Sequence, residues 1–366
     1  GEAEDVFLSL LQRDGSSWTS ILSLYVEQGL AERGLQLYTR MIKDGVRADG
    51  WTFVVLFQAC GAISRKEQSS VLIDTSSSLH LVADAKGFTS DSYVGSTILS
   101  MYGKCGAIVE AEHVFSDLSE PTNVSWTAMI SAYVEQGHAN KALDTYRAMV
   151  KQSICLNTVT LNCVLQACGA IGSLETCKEI HFHLVSLGCE HISMVTATLI
   201  HAYGSCASMV DGQDFFEKLF EPDIVSWNAC ISGHIAEGSF LKSVDIFEKL
   251  KIVGVQPDEV TFTVILSACS HIGLVSRGME YFNSMSNEYG LMPNIKHYCS
   301  MVDLLGRVGD LEGLRTLLER MPIQADLHVW MCTLGSCCTH GNLELAKYAF
   351  DHATSVQEPS EVVHML

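Results

Sequence analysis

Lysine and arginine are scarce in this 366-residue chain: 23 of them face 42 aspartates and glutamates, for a formal net charge of −19. Phosphate binding is driven by cationic side chains that release counterions, so an ordinary basic nucleic-acid footprint is excluded. Two partners stay open: a protein, or RNA held on a locally neutral inner face with the carboxylates outside. Long hydrophobic runs are missing as well. The longest candidate, Trp51 to Ile63, is interrupted by Gln58 and falls short of the ~18–20 residues that cross a bilayer, so no membrane span is expected. Only six prolines occur, and 48% of residues are apolar, which suits a helical array. No C-x-x-C pair is present, so the 14 cysteines do not form the usual pattern of a zinc site. His181-x-His183 near Cys177 and Cys189 is therefore not assigned a metal. The cysteines sit inside helical patterns and are expected as buried reduced thiols, implying a reducing compartment. The H-x-E and P-C-x-x-C signature of zinc nucleotide deaminases is also absent. No catalytic residue and no cofactor are assigned, and Cys337-Cys338-Thr339-His340 shows no activating arrangement. Gly1 is not a start Met, and residues 1–14 resemble the tail of an incomplete repeat, so a targeting peptide would lie outside this sequence.

What the chain has is repetition. Asn123-Val124-Ser125-Trp126-Thr127-Ala128-Met129-Ile130 returns as Val225-Ser226-Trp227-Asn228-Ala229-Cys230-Ile231, and earlier as Ser17-Trp18-Thr19-Ser20-Ile21. Trp18, Trp126 and Trp330 each precede a Gly (Gly29, Gly137, Gly341) by 11 residues. Cys60, Cys168 and Cys269 each follow a Trp by 42. Self-similarity at such spacing marks a repeat array, in which each repeat packs only on its neighbours.

One repeat shows the local structure. Met129, Ile130, Tyr133 and Val134 share a helical face, and Gly137 is placed to end that helix. Leu143, Tyr146, Met149 and Val150 form the stripe of a second helix. Each repeat is thus a helix–turn–helix of about 35 residues. Boundaries fall at 15–49, 50–91, 92–122, 123–157, 158–192, 193–223, 224–258, 259–294 and 295–326, with lengths cycling as 35, about 35, and 31 or 32. The 42-residue repeat 50–91 carries about seven extra residues, expected as a Ser-rich loop around Ser69 to Ser78. The recurrent Trp residues are expected in the packing between repeats.

Three phrases carry a resemblance: Ser-Trp-x-x-x-Ile, Ala-Cys-Gly-Ala-Ile at 167–171, and Met101-Tyr102-Gly103-Lys104-Cys105-Gly106. With the long–short triplet cycle, they resemble the plant-type pentatricopeptide repeat proteins of the P-L-S class. Residues 327–360, with His328-Val329-Trp330 and Gly341-Asn342-Leu343-Glu344-Leu345, resemble that class's extension motif, and 361–366 would begin a second. The resemblance implies an all-α, right-handed α-solenoid that binds single-stranded organellar RNA in a mitochondrion or chloroplast and serves cytidine-to-uridine editing. It further implies that a deaminase or other editing factor docks at 327–366, or that a deaminase follows in a longer chain.

In the family, about one base per repeat is read by the residue after the Trp position together with the repeat's last residue. Carried over, the pairs are Thr19 with Asp49, Thr127 with Asn157 and Asn228 with Asp258. The short repeats supply Ser96 with Thr122, Ala197 with Asp223 and Cys299 with Asp326. Ala197 and Cys299 depart from the usual polar choice. The resemblance assigns guanine, adenine and uracil to the first three pairs, with two other nucleotides between each from 5′ to 3′ and the edited cytidine beyond. It also makes Val124 and Val225 wedges between bases, with Ser16 a weaker counterpart. Outside the resemblance, Thr127 and Asn228 read equally as solvated helix residues, and Asp49 and Asp258 as N-caps. A tetratricopeptide-type acidic scaffold for a protein partner is the alternative; W-x-x-L-G-x-x-Y is absent.

Overall fold

An N-capping side chain, an apolar-faced stretch and a tight turn recur along the chain, and each recurrence is a helix. The computed structural model describes residues 7, 14–64, 70–189 and 192–356. Apart from Phe7 and Asp14, the 1–14 tail lies outside those residues, as does the second extension motif at 361–366. All 20 helices among the described residues are α-helices, and no strand occurs there.

The chain divides into two compact bodies, Gly1–Ile171 and Gly172–Leu366. The first contains α1 (Gly15–Glu27), α2 (Ala31–Lys43), α3 (Gly50–Ser64), α4 (Ser70–Ala85), α5 (Ser92–Lys104), α6 (Ile108–Asp117), α7 (Asn123–Glu135), α8 (Ala139–Lys151) and α9 (Thr158–Ile171). The second contains α10 (Leu174–Ser186), α11 (Ser193–Ser205), α12 (Met209–Glu217), α13 (Ile224–Ala236), α14 (Phe240–Val253) and α15 (Glu259–Ile272). It continues with α16 (Val275–Asn287), α17 (Ile295–Val308), α18 (Leu311–Arg320), α19 (Leu327–His340) and α20 (Leu343–Val356). Within each body the odd-numbered helices pack side by side as a row. The even-numbered helices lean on that row, which is a helix-pair solenoid.

The shortened stretches lose their residues from the second helix. α6, α12 and α18 have 10, 9 and 10 residues, against 13 in α2 and α8. The Ser-rich stretch departs from the expected loop. From Ser70 onward it is the 16-residue helix α4, with Ser76, Leu79 and Ala83 buried. The Ser78 hydroxyl donates to the Asp74 carbonyl at 2.8 Å, so the helix absorbs its polar group.

Packing follows the Trp register. Trp18, Trp126, Trp227 and Trp330 are 0–7% exposed. Phe115 meets Trp126 edge-on at 4.9 Å, and Phe216 meets Trp227 at 4.8 Å, a favourable quadrupole geometry. Neighbouring first helices touch backbone to backbone where the Tyr-Gly phrases fall. A Cβ on Gly103 would lie 2.5 Å from the Ala132 Cβ, and one on Gly204 would lie 2.6 Å from the Gly233 Cα.

Two histidines are held neutral in the second body. His297 is fully buried; its Nδ1 accepts from the Asn294 N–H at 3.1 Å and its Nε2 faces the Glu259 carbonyl at 2.9 Å. Burial holds it below its ordinary value of 6.5, against the pull of Glu259 and with some help from Lys296. His234, also buried, is lowered chiefly by burial although Glu237 lies at 3.8 Å.

Two outcomes follow. Gly204→Ala overpacks the α11–α13 crossing and should cost about 1–3 kcal/mol, read as a melting temperature lower by several degrees. Gly335→Ala, where a Cβ meets nothing within 4 Å, should leave it level or raise it. Because both folded histidine pKa values are depressed, protons favour the unfolded chain. Their contribution is complete above pH 6.5 and is lost as pH falls from there through the folded values. The melting temperature should therefore drop between pH 7 and pH 5, and His297→Asn should shrink that drop.

Candidate nucleic-acid interface

The row of odd-numbered helices carries little charge. Its helices contain Lys104, Lys296 and Arg307 against Glu27, Glu135, Glu259 and Asp303, so the acidic excess lies elsewhere in the chain. Acidic side chains do cap the row: Asp14, Asp91, Asp223, Asp258 and Asp326 stand at helix N-termini. There the free N–H groups and the helix dipole offset the carboxylate charge.

The first body shows one polar node three times. The Thr127 hydroxyl lies 2.6 Å from that of Thr160. Thr160 in turn donates through its hydroxyl and its N–H to Asn157 Oδ1, at 2.9 and 2.8 Å. Asn157 Nδ2 reaches back to Thr127 at 3.4 Å. Thr19, Thr52 and Asp49 repeat this, with 2.9 Å between hydroxyls and 2.7 Å from the Thr52 hydroxyl to Asp49 Oδ1. Ser96, Ser125 and Thr122 form the third node, at 2.8 and 3.3 Å. The structure thus brings the three expected pairs of the first body together through a buried hydroxyl on the next odd-numbered helix. That hydroxyl was not singled out from the sequence, because it belongs to the following repeat.

In the second body Asn228 Nδ2 donates directly to Asp258 Oδ1 at 3.0 Å. Thr261 supplies its N–H and hydroxyl to the same oxygen, both at 2.8 Å. Burial pushes the Asp258 carboxyl up, but the Thr261 groups and the Asn228 amide together hold it below the ordinary value. Asn228 is 8% exposed, and its Oδ1 is buried with no hydrogen-bond partner. Asp223 caps α13 through Ser226, at 2.9 Å to the N–H and 2.7 Å to the hydroxyl; Ala197 offers it no polar group. Asp326 caps α19 through the Val329 N–H at 2.9 Å. Burial, with the Asp326 carboxylate adding to it, pushes the Cys299 thiol up to about 11, so it stays protonated.

Counting five residues into every repeat also finds a pair that the Trp phrase misses. Thr263 and Asn294 flank His297, whose Nε2 lies 3.2 Å from the Thr263 hydroxyl. Val124 and Val225 stand exposed on the first turns of α7 and α13, at 52% and 46%. Trp51, Tyr93, Val159, Met194 and Val260 are exposed at the same step of their helices. Among the described residues His181 belongs to no group of three or more metal-ligating side chains; its Nδ1 lies 2.8 Å from the Tyr203 hydroxyl.

Comparison with known proteins places this geometry. A family model described as the PPR repeat family matches residues 121–170 and 222–271, and one described as the PPR repeat matches 16–46 and 260–288. The chain is 35% identical over 349 residues to the chloroplastic pentatricopeptide repeat-containing protein CRR2 of Arabidopsis thaliana, covering 95% of this chain and 53% of that protein. A mitochondrial pentatricopeptide repeat-containing protein of the same plant is 31% identical, with 95% and 40% covered. The chain spans about half the length of the curated relatives it matches. The crystal structure of the pentatricopeptide repeat protein PPR10, in complex with an 18-nt psaJ RNA element, shares the fold at a TM-score of 0.64. It is 14% identical, with 94% of this chain and 56% of that one aligned. With the repeat matches and relatives aligned along nearly its whole length, the chain belongs to the pentatricopeptide repeat family.

Proposed function

We propose that this chain is the base-reading array of a P-L-S-class protein that selects single-stranded organellar RNA for cytidine-to-uridine editing. The observation that carries the reading is the recurring polar node, in which the residue ending one stretch is tied to the polar side chain of the preceding first helix: Asp258 with Asn228, Asn157 with Thr127, and Asp49 with Thr19 through Thr52. The Asn228 carboxamide has the donor and acceptor that match the O4 and N3–H of uracil. Thr127 with Asn157 and Thr19 with Asp49 offer hydroxyl, amide and carboxylate groups to the pairing edges of adenine and guanine. Thr122, Asp223 and Asp326 would act with Ser96, Ala197 and Cys299, although the last two have little to say about base identity. Val124 and Val225 would separate adjacent bases.

RNA in complex with PPR10, and relatives named chloroplastic or mitochondrial, support the ligand class and an organellar setting. The near-neutral row supports contact with bases rather than phosphates. The repeat boundaries belong to this reading, as does an extension at 327–360 that docks a deaminase or other editing factor. The chemistry would come from that partner or from a further domain.

A short single strand carrying guanine, adenine and uracil at three-nucleotide steps should bind at least tenfold tighter, about 1.4 kcal/mol, than a copy with those bases changed. A titration at low and moderate salt reads this directly. Lack of binding to either strand would leave an acidic scaffold for a protein partner. Asn228→Ser should lower the preference for uracil at its position several-fold and leave the guanine and adenine positions unchanged; equal affinity for all four bases there, before and after the change, would remove the assignment.

A further inference from the structure

Asn294 is the same amide in the same place as Asn157, turned to a different partner. Each closes a repeat whose fifth residue is a threonine, Thr263 in one and Thr127 in the other. Asn157 Nδ2 donates to Thr127 at 3.4 Å. Asn294 Nδ2 donates instead to Glu259 Oε2 at 3.0 Å, and its Oδ1 accepts from the Lys296 N–H at 3.1 Å. Glu259 opens α15, and the other odd-numbered helices open with Gly, Ser, Asn, Thr, Ile or Leu, none of which offers a carboxylate there. The bridge between the pair is altered as well. Thr160 passes its hydroxyl hydrogen to Asn157 Oδ1, but His297, which holds the same place, uses Nδ1 to accept from the Asn294 backbone N–H. Its Nε2 therefore carries the ring proton and turns it to the Glu259 carbonyl and the Thr263 hydroxyl, at 2.9 and 3.2 Å. The neutral ring has no further hydrogen for the Asn294 side chain.

We propose that Glu259 is a positioning residue that holds the Asn294 amide away from Thr263, so that the 259–294 repeat spans one nucleotide without reading it. The proposal rests on the RNA-binding reading above and adds to it a step of free base choice. That step lies directly 3′ of the uracil at the Asn228 position, since one repeat faces one base. A hydrogen bond to a carboxylate is about twice as strong as one between neutral groups, so the Thr263 hydroxyl does not recover the amide. Thr263 has already donated its hydroxyl hydrogen to the Glu259 carbonyl at 2.8 Å. It presents an acceptor that any amino or imino N–H can meet. The lock is local. Asp258, next in the chain, bonds Asn228 and Thr261, so reading at Asn228 does not depend on Glu259. Glu259 is exposed, and replacing it opens no cavity in the core.

The test uses the full chain and the guanine–adenine–uracil strand in four copies that differ only in the nucleotide 3′ of the uracil. It compares wild type, Glu259→Ala and Glu259→Gln, with helicity monitored by circular dichroism. Wild type should bind the four copies within about twofold of one another. Glu259→Ala frees the amide for Thr263 and should bind the adenine copy about fivefold tighter than the others, the fold-change that one net hydrogen bond gives. Adenine is expected because Thr263 with Asn294 then matches Thr127 with Asn157. Glu259→Gln retains a side-chain carbonyl that accepts from Asn294, and should stay near wild type. The preference for uracil at the Asn228 position should be the same in all three proteins. A wild type that already chooses one base at this step, or a Glu259→Ala protein that gains no preference for adenine, overturns the lock, while discrimination at the other three positions keeps the RNA reading intact. Equal gains in Glu259→Ala and Glu259→Gln also overturn it, since charge alone would then be the cause. A wild type that binds none of the strands overturns both.

Discussion

The N-cap at the start of each first helix is the interaction on which the rest depends. Asp258 closes one repeat, caps α15 through the Thr261 N–H, and holds Asn228 on the neighbouring helix α13. One carboxylate therefore ends a repeat, starts the next helix and fixes a side chain on the neighbouring one. An N-cap of this kind is worth about 1 kcal/mol, and nodes repeated along the row set the spacing of the groups it presents. Asn157 and Asp49 do the same through Thr160 and Thr52. The stability and the polar pattern of the face share the same atoms.

That sharing explains how an acidic chain presents a nearly neutral row. Each cap carboxylate is answered by helix N–H groups and a hydroxyl, which keep its charge local. Asp258 and Asp223 both stay below the ordinary carboxylate range although burial works against them. Some of the other acidic groups pair at the surface, as Glu112 does with Lys141 at 2.7 Å and with the Tyr133 hydroxyl at 2.7 Å. Such exposed pairs contribute little stability.

The polar pairs entered through the family resemblance, while helix pairs and buried tryptophans were legible because each follows a local rule: a 3.6-residue stripe or a fixed Trp-to-Gly spacing. The bridging hydroxyls of Thr52, Thr160 and Ser125 were not, since the partner they complete lies about 30 residues upstream and only folding brings it near. Thr263 escaped for a different reason: its repeat has Phe262 where others have Trp, so the phrase that marks the site is gone while the geometry persists through His297. The Ser-rich stretch misled because serine favours turns in isolation. In α4 the Ser78 hydroxyl bonds back to the helix, and the buried Leu79 and Ala83 decide the outcome. Trp51 stands two residues earlier in its repeat than Trp18, Trp126, Trp227 and Trp330 do in theirs, on the exposed step that Val124 and Val225 occupy.

The hand-over of the cap residue also says where such an array can be cut and rejoined. A repeat excised at its last residue would leave behind the hydroxyl, three positions into the next helix, that ties its own polar pair together. Asp49 without Thr52, or Asn157 without Thr160, is an incomplete part. The transferable cassette therefore begins after that hydroxyl and ends just past the next one, so the module an engineer moves is offset by three residues from the repeat that sequence similarity outlines.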